Sequence, residues 1–235
     1  MDRPVGVIGA EEQEVELLVR DLSDKEKTVQ GRYTFISGNL SGVPTVIVRC
    51  GIGKVNAACC AQMMIDLFNV RALINTGAAG SLDARINIGD IVLCTEAIQH
   101  DMDVAGLGYE PGMIPDTGKT FKADEKLRSL ARECCREVNP DLNVFEGRIL
   151  TGDQFISGSE AKDHLVKTFG GMCAEMEGGA IAQAAYCSNV PFLVIRAISD
   201  KADGSAEMDY PTFSAMASAH SAKLVEAMIG KMKND

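Results

Sequence analysis

The chain has 235 residues, of which 46% are hydrophobic and 24% charged, with 23 Lys and Arg against 33 Asp and Glu for a net charge of −10. These fractions exclude a disordered, collagenous or coiled-coil protein. An acidic balance without a Lys/Arg cluster argues against nucleic acid or an anionic membrane surface as a partner.

Pro4–Gly9 is a short apolar run bounded by glycine and predicts a buried strand. Glu11–Arg20 predicts a helix with acids in its first turn, where the helix dipole favours them. Tyr33–Leu40 and Val43–Cys50 flank Ser41-Gly42, a two-residue hairpin signal. After Gly51-Ile52-Gly53 a helix carries Val55, Cys59, Met63 and Leu67 on one face. Arg71–Asn75 reads as a strand ending in Thr76–Gly80, a turn of tiny residues, and Asp90–Ala97 as a further strand. His100–Thr120 lacks periodicity, and a loop of that length is uncommon unless functional. Helices follow at Ala123–Val138, Glu160–Phe169, Gly178–Cys187 and Phe213–Met232. The strands among them are Val144–Thr151, Met172–Glu175 and Phe192–Ile198. Alternation from end to end, with no linker or repeat, predicts one α/β domain over residues 1–235. It has three α/β/α layers around a twisted, mixed, largely parallel sheet.

No apolar run reaches the roughly 20 residues needed to cross a bilayer, and no secretory leader is visible. Eight cysteines occur without a C-x-x-C pair, and three histidines could join them. Free thiols in the cytoplasm, and no metal, are the expectation. The familiar nucleotide motifs fail: Gly6-x-x-Gly9 lacks a middle glycine, and Gly51-Ile52-Gly53 meets Asn56 where a third should fall. Gly118-Lys119-Thr120 lacks the first P-loop glycine, with Met113 in its place. Neither H-E-x-x-H nor G-x-S-x-G is present.

What remains is a set of expected strand ends bearing acids and glycines: Gly9–Glu14, Gly51–Lys54, Thr76–Gly80, Glu175–Glu177 and Arg196–Asp200. Open α/β sheets bind ligands outside the carboxyl ends of their strands. Any one of these acids alone would read as a helix cap or a solvated residue, and Ser199-Asp200 as a turn with an Asx bond. Together they converge on one cleft and point to acid/base work on a polar substrate.

Gly9-Ala-Glu-Glu-Gln-Glu-Val15, Gly51-Ile-Gly-Lys-Val55, Asn75-Thr-Gly-Ala-Ala-Gly80 and Gly89-Asp-Ile-Val92 follow one another as in the purine nucleoside phosphorylase superfamily. Thr151-Gly-Asp-Gln-Phe-Ile156, Glu175-Met-Glu177 and Arg196-Ala-Ile-Ser-Asp200 narrow the match. Over nearly its whole length the chain resembles the 5′-methylthioadenosine/S-adenosylhomocysteine nucleosidase family. The resemblance implies hydrolysis of the bond between adenine N9 and ribose C1′ in these nucleosides and in 5′-deoxyadenosine. That activity serves methionine salvage, with no cofactor and in a homodimer.

Carried over residue by residue, the resemblance makes Asp200 the general acid toward adenine N7, oriented by Ser199. Glu14 is then the group that binds and deprotonates water, and Glu177 the clamp on the ribose hydroxyls. Met176 packs on the sugar, Phe155 stacks on adenine, the Ile156 backbone reads the base edge, and Gly80 exposes its amide. Ile52, Val104 and Tyr210 match positions lining the ribose or 5′ pocket. Arg196 is a supporting charge or a structural ion pair. Ala78 stands where relatives commonly carry Ser, Tyr210 where Phe is common, and Leu107 where a partner subunit lends an aromatic. Tyr109 on the same loop is expected to reach over with it. Phosphorylases of the superfamily place an arginine where this chain has Asn75, and Glu14 would repel phosphate. The alternatives are such a phosphorylase, an aminodeoxyfutalosine nucleosidase of menaquinone synthesis, and a catalytically dead nucleoside binder.

Overall fold

The computed structural model describes residues 3–232; the outer ends of the expected 1–235 domain lie outside them. The first half runs β1 (Val5–Gly9), α1 (Glu12–Asp21), β2 (Ser23–Gln30), β3 (Tyr33–Leu40), β4 (Val43–Arg49), α2 (Lys54–Phe68), β5 (Ala72–Ser81) and β6 (Ile91–Gln99). After a 3-10 turn at Ala105–Leu107 come β7 (Phe121–Lys122), α3 (Glu125–Val138), β8 (Val144–Thr151), α4 (Ser159–Phe169), β9 (Cys173–Glu175), α5 (Gly178–Cys187), β10 (Phe192–Asp200) and α6 (Ala206–Lys231).

The strands form one mixed sheet in the order β10-β6-β8-β9-β5-β1-β4-β3-β2, with β7 on β6. Because β10 also pairs with β5, the β5–β10–β6–β8–β9 part curls into a closed ring while β1, β4, β3 and β2 extend from it. β1 lies parallel to both β4 and β5, and β10 parallel to β5. Their carboxyl ends therefore open on the same side. β1 is buried throughout, as a continuous apolar strand covered on both faces should be; β10 is buried throughout as well, although it carries Arg196, Ser199 and Asp200.

Several elements differ from the expectation. Thr76–Gly80 is not a turn; it continues β5 to Ser81. Tiny residues let this strand run close beside the Glu14 and Asp200 side chains, so smallness here marks crowding rather than reversal. β2, with sequence Ser-Asp-Lys-Glu-Lys-Thr-Val-Gln, is exposed along its length. It has no apolar alternation to announce it, and its charges suit a sheet edge. α6 starts seven residues earlier than Phe213, with Pro211 inside it, so Tyr210 sits on a helix.

Among the described residues, α2 buries Ala57, Cys60, Ala61 and Met64, whereas Val55 is 73% and Leu67 50% exposed. Of the four residues expected on one face, Val55, Cys59 and Leu67 are exposed, and Met63 alone packs partly against the core. The small side chains on the other face let α2 lie against α5, itself rich in Gly and Ala.

Candidate active site

The carboxyl ends of β1, β5, β9 and β10 border a cavity of about 510 Å³. Glu14, Ile52, Ala78, Gly80, Phe155, Met176, Glu177, Ser199, Asp200 and Tyr210 all line it. Ile156 lines a small adjoining recess with Phe155, Met176 and Asp200.

Glu14 stands in the first turn of α1. One carboxylate oxygen accepts from the backbone N–H groups of Ala10 (2.6 Å) and Glu11 (3.0 Å), and the other from Ala78 N–H at 3.0 Å. β5 makes room for it at Gly77, where a Cβ would stand 2.4 Å from Glu14 Oε1. Burial holds the Glu14 carboxyl above its ordinary value, against the opposing pull of Arg196 and the three N–H donors.

Asp200 is aimed by a register shift in β10 between Ile198 and Asp200, which sets Asp200 opposite Gly80. A Cβ at Gly80 would lie 2.7 Å from Asp200 Oδ1, so glycine is what leaves space for the carboxyl. Ser199 Oγ donates to Asp200 Oδ2 at 2.8 Å, and Ala202 N–H to Oδ1 at 2.8 Å. Burial raises the Asp200 pKa over the lowering effect of both donors.

Glu177 immediately precedes α5 without capping it, and its Oε1 instead accepts from Gly53 N–H at 2.9 Å. That bond ties the β9 end to the loop preceding α2. Burial, reinforced by Glu175, pushes the Glu177 carboxyl up to about 8. Phe155 lies edge-on to Tyr210 with centroids 5.7 Å apart.

Arg196 does not line the cavity. It is 1% exposed, donates to Glu175 and to Asn75 Oδ1 (2.6 Å), and lies 3.8 Å from Glu177 Oε2. Its burial and its pairing with Glu175 and Asn75 fit the structural ion-pair alternative rather than contact with a ligand. Glu175 completes that pair and accepts from the Glu177 and Gly178 N–H groups (3.2 and 2.6 Å) and from Thr151 Oγ1. It is a buried support for the Glu177 turn whose role the sequence did not separate from its neighbour's. Val104 is half-buried and absent from the cavity lining of its own chain. It belongs instead with Leu107 and Tyr109, which lie on the outer loop, 76% and 43% exposed.

Three further features were not anticipated. Tyr210 donates its phenol hydrogen to Glu11, linking α6 to the turn before α1. Glu207 and Pro211 add to the wall from α6. Asp101 accepts from Lys54 Nζ (2.6 Å) and Asp153 N–H (2.9 Å), while Asp153 accepts from Lys54 N–H (2.7 Å). This network fastens the start of the long loop to the segment bearing Phe155. Polar residues far apart in the chain gave no spacing signal for it. Among the described residues no cluster could hold a metal ion.

A cleft of carboxylates at strand ends, without a nucleotide-phosphate loop, is a nucleoside-type site, and the profile of the phosphorylase superfamily matches residues 4–230. A 5′-methylthioadenosine/S-adenosylhomocysteine nucleosidase from an Exiguobacterium species is 41% identical over 230 residues, covering 97% of this chain and 98% of that protein. The nucleosidase of the same name from Neisseria meningitidis, solved with methylthio-immucillin-A, superposes with a TM-score of 0.95 at 37% identity, covering 98% and 100% of the two chains. Futalosine hydrolase of Helicobacter pylori gives 0.93 at 31% identity, with 97% and 98% covered. The chain belongs to the 5′-methylthioadenosine/S-adenosylhomocysteine nucleosidase family.

Proposed function

We propose that the protein is an N-glycosyl hydrolase that cleaves 5′-methylthioadenosine and S-adenosylhomocysteine, releasing adenine and the 5′-substituted ribose. The convergence of Glu14, Glu177 and Asp200 on one cavity carries this reading. The similarity to nucleosidases named for these substrates supports it.

Breaking N9–C1′ leaves positive charge on the sugar and electrons on the purine, so the site must protonate the base, deliver water and tolerate a cation. Asp200 is the group to give a proton to adenine N7, and burial, which favours its neutral form, supports that role. Ser199 and the Ala202 amide fix its orientation. Glu14, anchored by three backbone donors, takes a proton from water as the oxygen attacks C1′. Its raised pKa makes it a better base than a free carboxylate once ionised. Glu177 accepts from the 2′ and 3′ hydroxyls. Those hydrogen bonds and the developing cation favour the ionised carboxylate that burial alone opposes.

Met176 packs on the ribose, Phe155 stacks on adenine and the Ile156 backbone reads its edge, with Gly80 giving close approach. Ala78 presents its N–H to Glu14 rather than a side-chain hydroxyl to the ligand. The position of a phosphate-gripping arginine is filled by Asn75, which is buried and occupied with Ile8 O (2.9 Å) and Arg196. Water is therefore the acceptor. Adenine release from methylthioadenosine should proceed without phosphate, and added phosphate should yield no sugar phosphate. Turnover that depends on phosphate would overturn the hydrolase reading.

The active unit on this reading is a homodimer. Val55 and Leu67 on α2, Leu107 and Tyr109 on the loop, and the cavity residue Ile52 are all large apolar side chains left exposed in the single chain. Loop residues Val104, Leu107 and Tyr109 would complete the 5′ pocket of the neighbouring subunit. Eight unpaired thiols support a reducing, cytoplasmic setting, and no described helix is long and apolar enough to cross a membrane.

A further inference from the structure

A second cavity of about 630 Å³ adjoins the first and shares Ala10, Glu11 and Ile52 with it. Its other walls are Glu12, Gln13 and Glu16 of α1, Arg32 and Tyr33 at the start of β3, Arg49 at the end of β4, and Cys50 and Gly51 after it. Both charge signs are therefore present in one trench. Arg49 Nη1 lies 3.5 Å from Glu12 Oε2. Arg32 donates to Asn56 Oδ1 at 3.3 Å and stands 5.9 Å over the Tyr33 ring. A guanidinium has five N–H donors, so these contacts leave each arginine with donors for a carboxylate.

The trench lies at a defined end of the first cavity. Asp200, Gly80, Ile156 and Ala202 border the recess at the base end, whereas Ala10, Glu11 and Ile52 border the junction. Glu177, the ribose clamp of the proposed function, is bonded to Gly53, next to Ile52. With the base at Asp200 and the ribose on Glu177, as the proposed function has them, the junction at Ile52 is the way by which a 5′ substituent would reach the trench.

We propose that this trench is a subsite for a zwitterionic α-amino acid tail on the 5′ substituent. Arg32 and Arg49 receive the carboxylate, and Glu12 and Glu16 the ammonium. Glu11 is the partition between the two cavities, held in place by the Tyr210 phenol. The inference deepens the proposed function: S-adenosylhomocysteine has such a tail two methylenes beyond its sulfur, and methylthioadenosine has none. The trench therefore distinguishes the two substrates while the chemistry at C1′ stays common.

The test compares both substrates on the Arg32→Ala/Arg49→Ala variant. Both residues are exposed, so the fold should survive, and methylthioadenosine turnover reports directly that it has. The expected result is a fall of about tenfold in kcat/KM for S-adenosylhomocysteine, carried by KM, as the loss of charge-assisted hydrogen bonds predicts. Methylthioadenosine kinetics should stay within about twofold, since surface substitutions away from the contacted ligand have small effects. An unchanged ratio of the two specificity constants would overturn the subsite. Failure of the unmodified protein to hydrolyse methylthioadenosine would instead refute the proposed function, so the two failures are distinct.

Discussion

Asp200 and Asn differ by one atom, and that difference isolates proton transfer from shape. Asn at this position keeps an oxygen to accept from Ser199 Oγ or Ala202 N–H, as the carboxylate does, but has no proton to deliver to adenine. A positioned general acid contributes about 10²–10⁴ in rate, or roughly 3–5 kcal/mol of barrier. Asp200→Asn should therefore lose at least about a hundredfold in kcat while still binding substrate analogues in calorimetry. Glu14→Gln should lose turnover through the other half of the reaction, because the water loses its base. A kcat within about tenfold of the parent for Asp200→Asn would make Asp200 a structural cap. These acids were legible in the sequence because motif order and strand-end placement both singled them out. Arg196 and Glu175 were harder to separate from them. Adjacent residues on a strand share a motif whether they face the cavity or the layer beneath, and only the three-dimensional pairing of Arg196 with Glu175 and Asn75 distinguishes the two.

At the scale of elements, the boundaries of α1, the β3–β4 hairpin, β8 and α5 were readable from apolar pattern and turn chemistry. The orientation of α2 was not. Four-residue spacing identifies a stripe, but Val55, Cys59, Met63 and Leu67 form one stripe and Ala57, Cys60, Ala61 and Met64 another. The latter is the buried one, because its smaller residues permit close packing against α5. A helix apolar on both sides needs a second partner, which is how the α2 face bears on the proposed dimer. The chain should sediment at about twice its 25.1 kDa mass. Val55→Asp should shift it toward monomer, since an unpaired charge at a buried interface is strongly unfavourable. If Leu107 of one subunit serves the 5′ pocket of the other, activity should fall with the dimer. A monomeric parent protein with full activity at assay concentration would contradict both statements.

The whole molecule holds its buried cavity carboxyls at a cost in stability that depends on pH. Burial raises the Glu177 pKa from 4.5 to about 8, and the directions at Glu14 and Asp200 are the same. Each folded carboxyl then binds its proton more tightly than in the unfolded chain. The folded state gains relative stability when these groups are protonated and loses it as pH rises from the unfolded pKa through the folded one. For Glu177 that window runs from 4.5 to about 8. Arg196, 3.8 Å away, offsets part of the loss, and Glu175 adds to it. Glu177→Gln keeps an acceptor for Gly53 N–H, whose bond to Oε1 is 2.9 Å, and removes the titration. Thermal melts at about pH 4 and about pH 9, on either side of the window, should therefore differ in a definite way. At the alkaline end the variant should melt above the parent chain, and at the acid end the two should converge. The same variant should bind ribose poorly and turn over slowly, because neutral Gln cannot stabilise a sugar cation. A melting difference of equal size at both ends would mean that Glu177 affects stability through packing rather than charge.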